Sequence, residues 1–275
     1  MPTNARKIEG YSDISEAVLA EESQIRSIAN TDIEGVVGVE RTKVFVNDLA
    51  SIADYVPGTG VDLTTDGSSF VEISNLKEKA VNEIVDGFTV ETAPSDMVAK
   101  RLEAALAIMG ETMDSDAYAS MVADGTEDVA SGDPAPTVDT IYQDILNLKL
   151  ELDKQKVPRE GRSLIITPEM ENLLLNQESK IMLQTPRGDE IIVNGMVGDA
   201  LGFRIYTSTL LPGDTKMIAT HQRAFAFKEN WNTDVSLVSL DNSEKFYGDS
   251  AIKGRMAYTY GAVRPELIRI NNGDA

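Results

Sequence analysis

The amino-acid sequence predicts an α+β fold, and two observations carry this prediction. Apolar residues recur at helical spacing over 97–122 and 137–156. Elsewhere, runs of β-branched and aromatic residues end at Gly, Pro, Asn or Asp, which is typical of short strands joined by turns. The 275 residues, of which 42% are hydrophobic, suffice for one large domain or two intertwined ones.

The chain begins with a segment that reads as an arm and a hairpin. Residues 1–40 include a thinly apolar helix over 12–28, which we expect to pack on another surface, such as a neighbouring subunit. Strand-type runs at 43–49 and from Phe70 flank a turn-rich excursion, which predicts a long projecting hairpin. An ordinary surface hairpin explains the same pattern. The turn-rich excursion contains Tyr55, Pro57, Gly58, Gly60 and Asp66.

Two helices and a linker follow. The first helix begins at an N-cap, Ser95, and ends at 123–126, a length of roughly 40 Å at about 1.5 Å per residue. Its four methionines favour core packing over an adaptable binding groove. Residues 125–136 are polar and predict a linker. The second helix runs from Thr137 to about Lys156. Its apolar face consists of Ile141, Ile145, Leu148 and Leu152.

The remaining chain reads as a compact α/β section. A strand at 163–167 leads into a helix over 168–175, which Pro168 opens. Turns are expected at Asn194-Gly195 and at Pro212-Gly213-Asp214. Further strands are predicted at 191–193, 203–208, 217–220, 224–227, 235–240, 252–260 and 267–270.

Composition restricts the classes of function. The chain has no cysteine, which excludes disulfides, Cys-ligated metals and thiol catalysis and fits assembly in a reducing cytoplasm. A chain with a net charge of −20 does not coat nucleic acid through its overall charge. A shell with an acidic wall can nevertheless enclose nucleic acid. We see no signal peptide in residues 1–10 and no apolar run of about 18 residues, so we expect a soluble protein.

No residue pattern selects an active site. The single histidine, His221, has no G-x-S-x-G elbow to accompany it, and we interpret it as a surface or turn residue. The acidic residues around Asp114 and Asp116 match no metal-binding loop, and the glycines at 195–202 lack the lysine of a phosphate-binding loop. We therefore predict no catalytic residue, no metal and no cofactor.

Taken in order, the segments of residues 134–270 resemble the tailed-bacteriophage major capsid proteins, which have the Hong Kong phage capsid fold. The segments are VPREGRSLIITPEMENLLL, VNGMVGDALGFRIYTSTLLPG, ATHQRAFAF, VSLVSLD and FYGDSAIKGRMAYTYGAVRPELIRI. The last one carries Arg264 and Pro265 in a pattern similar to the family's closing strand. The hairpin at 48–72 and the helix at 95–124 resemble the family's extended loop and spine helix, so the resemblance covers nearly the whole chain.

The resemblance implies a division of the chain and a set of contacts. The parts are an N-terminal arm at 1–40, an extended β-hairpin loop with flanking peripheral strands at 41–92, a long spine helix of the peripheral domain at 93–133, an axial domain at 134–240, and terminal peripheral-domain strands at 241–275. The loop tip would reach over a neighbouring subunit. Candidate inter-subunit contacts are therefore Tyr55, Pro57, Gly58, Gly60, Asp66 and Arg264. Residues 50–76 contain no lysine for the Lys–Asn cross-link of some family members, so we expect non-covalent assembly.

The function that the resemblance implies is structural and not enzymatic. Pentamers and hexamers of the chain would form an icosahedral shell that encloses double-stranded DNA without sequence-specific binding. We expect assembly in the bacterial host cytoplasm and residence in the virion capsid, with scaffolding, portal and decoration proteins as partners and no membrane. Two alternatives stay open: an encapsulin-type nanocompartment shell with the same fold, and an acidic α/β hydrolase or metal-dependent enzyme.

Overall fold

The fold is described from a computed structural model, which covers residues 23–32, 42–47, 52, 54, 57, 67–73, 75–86, 97–130, 133–176, 199–241, 245–246 and 248–273. Helices and sheets are mixed along the chain, which confirms the α+β class. The helices are α1 (Ile25–Ile28), α2 (Met97–Asp124), α3 (Ile141–Lys154), α4 (Pro168–Leu175) and a 3-10 turn at Pro265–Leu267. The strands are β1 (Thr42–Val46), β2 (Ser69–Ile73), β3 (Asn75–Val85), β4 (Thr126–Val129), β5 (Arg162–Ile166), β6 (Asp199–Ala200), β7 (Phe203–Thr207), β8 (Met217–His221), β9 (Phe225–Ser239), β10 (Ser250–Ala262) and β11 (Arg269–Asn271).

A six-stranded mixed sheet has the order β4-β11-β8-β5-β7-β6. Its central strands β5 and β8 are buried at every position, as expected of strands covered on both faces. Helix α3 contacts α4 and β11, and its predicted apolar face is fully buried. That face confirms the helix that periodicity predicted, and α4 has the predicted bounds.

The strands β3, β10 and β9 form a second sheet in that order, and β1 pairs with β2 in a third. Strand β9 is a single strand of 15 residues, whereas the sequence predicted separate strands at 224–227 and 235–240. The intervening residues, Lys228 to Asp234, are largely polar, so their composition indicates a break. Pairing with the neighbouring strand β10 overrides that local preference.

Helix α2 confirms the predicted long helix and its stop. Its 28 residues span about 42 Å at about 1.5 Å per residue, and the Gly125 amide donates to the Met121 carbonyl at 2.9 Å. A Cβ on Gly125 would lie 2.7 Å from Ile270 Cδ1 and from the Met121 oxygen, so only glycine fits. The buried side chains of Met109, Met113 and Met121 confirm core packing.

The predicted linker at 125–136 is wrong in its first part, because Thr126–Val129 is strand β4. This strand runs parallel to β11, and its backbone is held at both ends by amide-to-carbonyl bonds of 2.9 Å, Thr126 to Ile268 and Asn272 to Val129. Three of its four side chains are exposed, so the sequence there has no apolar alternation. This edge strand is held by backbone pairing, so its side chains show no apolar pattern from which a strand could be predicted.

The chain divides into two compact units. One comprises Ser23 and the described residues of Glu78–Asp114 and Glu229–Ala257; the other comprises the described residues of Gln24–Lys77, Ser115–Lys228 and Tyr258–Ala275. The core of the first unit is Val85, Ala105 and Ile252, with Val81, Leu102 and Val235 packed on it. In the same unit, the Ser23 hydroxyl donates to the buried Asp114 carboxylate at 2.7 Å. The domain limits expected from the resemblance stay predictions.

Several local predictions have a definite outcome. The turn at Pro212-Gly213-Asp214 is confirmed, since Gly213 has φ +60° and the Thr215 amide donates to the Pro212 carbonyl. Of the predicted helix at 12–28, the described part is helical only over Ile25–Ile28. Residues 12–22, the cap at Ser95, the strand at 191–193 and the turn at Asn194-Gly195 lie outside the described residues.

Candidate assembly surface

The hairpin stem formed by β1 and β2 has two different faces. The strands pair antiparallel, with Val44 opposite Val71 and Phe45 opposite Phe70. Because side chains alternate across a strand, Val44 and Val46 share one face with Ile73. This inner face packs on the buried residues Ala226 and Val263. The pairing confirms the predicted hairpin, and the inner face explains how it is attached.

The outer face of the stem consists of Lys43, Phe45, Phe70 and Glu72. The phenyl rings of Phe45 and Phe70 lie 5.0 Å apart, tilted by 57°, and the two residues are 49% and 66% exposed. Lys43 lies opposite Glu72 in the register, so a balanced pair of charges flanks the aromatic pair. In the sequence, the only sign of this exposed face is the alternation in KVFV, which places the phenylalanine on the face opposite the valines.

Arg264 lies at the base of the hairpin. Its guanidinium Nη2 donates to the Asn47 carbonyl at 3.1 Å, and its amide donates to the Ala224 carbonyl at 3.0 Å. A cleft of about 220 Å³ opens there, with Arg264 and Glu266 in its lining. Its other lining residues are Val46, Asn47, Gly67, Ser69 and Val263. The predicted contact residue therefore ties the chain after β10 to the end of β1.

The other predicted contact residues belong to the hairpin tip. Pro57 lies in a turn and is exposed, as a contact residue must be before assembly. Tyr55, Gly58, Gly60 and Asp66 lie outside the described residues. The structure therefore brings Arg264 to the stem and leaves the role of the tip as a prediction.

A polar cluster centred on Asp116 fixes the start of β3. The Asp116 carboxylate accepts from Lys77 Nζ at 2.6 Å and from the Tyr258 hydroxyl, and Lys77 Nζ lies 5.7 Å from the centre of the Tyr260 ring. The hydrogen bond to Asp116 raises the pKa of Lys77, and burial together with that carboxylate raises the pKa of Tyr258. The start of β3 is thereby tied to α2 and β10. Sequence reasoning missed this cluster.

Residues 24–30 of the predicted arm pack on the chain's own body. Gln24 Nε2 donates to the Thr207 carbonyl at 2.8 Å, and the side chains of Ile25 and Ile28 are buried. Asn30 forms a parallel bridge with Ala226 in β9. The expectation that the arm packs on another surface holds for this part, and the surface lies in the same subunit. The sequence indicated that Ile25 and Ile28 are apolar helix positions, but it did not indicate which residues they pack on.

His221 is not a surface residue, as the sequence suggested, although it does begin a turn. It ends β8 with 6% of its surface exposed. Nδ1 accepts from the Arg223 amide at 3.1 Å, so Nε2 carries the proton and donates to the Glu160 carbonyl at 3.0 Å. Burial lowers the pKa of His221, and Arg223 and Arg162 lower it further. Its bonds hold a turn together.

Two searches of the described residues bear on other functions. No group of three His, Cys, Asp or Glu side chains within them is arranged to hold a metal ion. None of the helices in the described ranges has the length and apolar character needed to cross a bilayer.

Comparisons with known proteins point to one family. A family model described as phage capsid protein matches residues 84–270. The chain is similar to a solved chain of Mycobacterium phage Che8, with 20% identity and a TM-score of 0.77 over 99% of this chain and 100% of that one. It is also similar to the capsid of cyanophage P-SCSP1u, with 13% identity and a TM-score of 0.79 over 98% and 93% of the two chains. The chain is likewise similar to the mature capsid of bacteriophage PhiM1, with 13% identity and a TM-score of 0.68 over 96% of this chain and 91% of that one.

These comparisons differ in what they establish. The search of curated proteins found no match to the chain. At such low identities the solved structures show the fold, and that fold is the one the sequence resemblance implied. The family model extends over more than half of the chain, from the end of β3 to β11. The chain therefore belongs to the phage capsid protein family, as a structural subunit of a capsid shell.

Proposed function

We propose that pentamers and hexamers of this chain form a shell that encloses double-stranded DNA and is held together without covalent cross-links. The observation that carries the proposal is the firmly anchored hairpin. Its stem is tied to the body by the bond from Arg264 to Asn47 and by the packing of its inner face on Ala226 and Val263. A projecting element that is rigid at its base transmits a contact made at its tip, which suits a subunit that must hold its neighbours.

The contacts of the tip are part of this proposal. Tyr55, Pro57, Gly58, Gly60 and Asp66 reach a neighbouring subunit, and Arg264 supports them from the base. The exposed turn at Pro57 and the bond from Arg264 to Asn47 support this arrangement. The domain limits at 1–40, 41–92, 93–133, 134–240 and 241–275 belong to the same arrangement.

The net charge of the chain indicates how the shell wall interacts with the enclosed DNA. The chain carries 45 acidic and 25 basic residues, so its wall repels DNA overall and makes no sequence-specific contact with it. A packed polymer can then move along the wall. Assembly takes place in the bacterial host cytoplasm, with scaffolding, portal and decoration proteins as partners. The chain has no catalytic activity of its own, and neither the nanocompartment nor the enzyme alternative gains support from the family match.

The test is to purify the chain, alone and together with the scaffolding protein of the same phage, and to examine it by sedimentation and negative-stain microscopy. We expect megadalton shells that return to single chains in denaturing gels, because no cross-link forms. Particles from infected cells should protect DNA from nuclease. A chain that stays monomeric in every condition, with the scaffold present, would contradict the proposal.

A further inference from the structure

Two turns meet at the end of the six-stranded sheet where β5 begins and β8 ends. Residues 155–161 connect helix α3 with β5, and the second turn follows His221. Arg162 pairs with His221 across the two strands, and the Gln222 amide donates to the Gly161 carbonyl at 2.9 Å. The side chains that project from both turns therefore lie at one end of the sheet.

These turns and the end of α3 carry a concentration of basic residues that is unusual for this chain. Over 149–162 and 221–223, six side chains are basic and three are acidic, whereas the whole chain has 25 basic and 45 acidic residues. The basic residues are Lys149, Lys154, Lys156, Arg159, Arg162 and Arg223.

Three of these basic side chains are available to a partner. The carboxylate of Asp153 is already paired with Arg162, at 2.6 Å, and Glu151 is paired with Lys154. The other three, at positions 156, 159 and 223, are exposed and make no ion pair with any residue that the structure describes. Glu160 is the one acidic residue of the two segments outside these pairs.

The local charge is positive, although the chain as a whole is acidic. The hydrogen bond from Arg162 lowers the pKa of Asp153, and the charge of Arg159 lowers it further. Burial lowers the pKa of His221, and the charge of Arg223 lowers it further. A carboxylate and an imidazole thus both lie within reach of positive charge at this end of the sheet.

Lys156 occupies a backbone position that favours glycine. Its φ is +57°, and its amide donates to the Asp153 carbonyl at 3.0 Å at the end of α3. Glycine is the usual residue at such a helix end, because a side chain there is strained. Lys154 already supplies a cation to the last turn of the helix. A second lysine in a strained conformation therefore indicates a use other than folding.

We propose that Lys156, Arg159 and Arg223 form a surface that binds the phosphate backbone of double-stranded DNA. The surface rests on the proposed function and adds one local attraction to a wall that repels DNA overall. Lysine and arginine side chains bind phosphate oxygens without reading the base sequence, so the contact is not sequence-specific. Few contacts per copy keep each one weak and sensitive to salt, which lets packed DNA exchange between copies.

The chemistry of the surface favours a phosphate backbone over an acidic protein. Protein interfaces usually have a centre of aromatic or apolar side chains. Within 153–162 and 221–223 no large apolar side chain is exposed, because Leu152 beside them and Val157 among them are buried. Long cations without an apolar centre suit the regularly spaced phosphates of a duplex.

The experiment measures the binding of unassembled full-length chain to a labelled DNA duplex, by fluorescence anisotropy at several salt concentrations. The test variant is Lys156→Gln, Arg159→Gln, Arg223→Gln. The control variant removes three lysines on β1, β3 and β10 and so changes the net charge equally: Lys43→Gln, Lys79→Gln, Lys253→Gln. Circular dichroism and thermal unfolding check that both variants stay folded.

We expect the test variant to bind the duplex at least about tenfold more weakly than wild type at low salt. The slope of log K against log salt should become shallower by about 2 to 3, because each phosphate contact contributes about 0.9. The control should stay within about threefold of wild type. Equal losses in the two variants, or a wild type that does not bind the duplex at low salt, would overturn the proposal.

The single variant Lys156→Gly separates binding from folding. Glycine relieves the strained φ, so we expect thermal unfolding at or above the wild-type temperature, together with binding that is about twofold or more weaker. A lower unfolding temperature with unchanged binding would show a lysine that serves the fold, and would contradict the proposal. Labelled poly-glutamate is the probe for an acidic protein. Tighter binding of poly-glutamate than of the duplex would overturn the assignment to DNA.

A measurement on particles separates this inference from the proposed function. Acetylation footprinting compares Lys156 with Lys253 in DNA-filled and emptied particles, and we expect DNA to protect Lys156 selectively. Shells that protect DNA while Lys156 reacts equally in both leave the shell proposal intact and overturn the inference. A chain that forms no shell but binds the duplex through these three residues leaves the surface standing and removes the shell proposal.

Discussion

Replacing Asp116 with alanine removes the acceptor that Lys77 and Tyr258 share. The Tyr258 side chain is fully buried and donates to Asp116, whereas Lys77 keeps 41% of its side chain exposed. A buried polar group that loses its partner costs about 1–3 kcal/mol, and a partly exposed ion pair adds at most about 1 kcal/mol. We therefore expect Asp116→Ala to lower the free energy of unfolding by about 1–4 kcal/mol, mostly through Tyr258.

Two comparison variants separate the contributions. Asp116→Asn keeps an acceptor oxygen for Tyr258 and removes the charge, so it should cost about 1 kcal/mol. Lys77→Met removes only the exposed pair and should cost no more than about 1 kcal/mol. The assay is denaturant unfolding of unassembled protein, followed by circular dichroism. If Asp116→Ala unfolds at the same denaturant concentration as Lys77→Met, the Tyr258 bond does not hold the structure and the reasoning is wrong.

The same cluster has a signature at high pH. The folded state raises the pKa of Lys77 above its ordinary 10.5 and that of Tyr258 above its ordinary 10.0. Above those values the unfolded chain has lost protons that the folded chain retains, so stability falls as pH rises beyond about 10. Asp116→Asn should flatten this alkaline loss relative to wild type, as measured by denaturant unfolding at several pH values.

Three further predictions concern the larger unit. Gly125→Ala should cost about 1–3 kcal/mol of unfolding free energy in denaturant melts, because its Cβ would lie 2.7 Å from Ile270 Cδ1; Ala123→Gly, on the exposed last turn of the same helix, is the control and should cost at most about 1 kcal/mol. Arg162→Met should cost about 2 kcal/mol, because the buried guanidinium donates to the Val157 and Pro158 carbonyls; an effect below about 0.5 kcal/mol would contradict this. The lowered pKa of His221 means that stability is full above about pH 6.5 and falls as pH drops through the folded pKa; His221→Gln should flatten that acid limb in pH-dependent melts.

The sequence predicted those elements whose pattern is local. Helix α3 was identified because Ile141, Ile145, Leu148 and Leu152 recur at helical spacing, and all four are buried. The hairpin was predicted from two β-rich runs around a turn-rich segment, and β1 and β2 pair accordingly. In these cases the residues that determine the element are neighbours in the chain, so periodicity is enough.

The missed features depend on partners that are distant in sequence. Lys77 and Tyr258 lie 39 and 142 positions from Asp116, and no local pattern indicates that three such residues meet. Strand β4 was missed for a related reason, since its partner β11 comes about 140 residues later and its own side chains are mostly exposed. The exposure of His221 was misjudged because a polar residue in a turn sequence is usually exposed, whereas pairing with Arg162 at the start of β5 buries it.

The register of the hairpin stem decides which of its side chains pack on the body and which stay exposed. Because side chains alternate along β1, a slip of one residue would turn Phe45 inward and Val44 outward. The packing of the inner face would then be lost, since it needs the small valines beside Ala226 and Val263, and Phe45 would lose its contact with Phe70. The well-packed inner face therefore decides which side chains the stem leaves exposed, because only one register buries the valines.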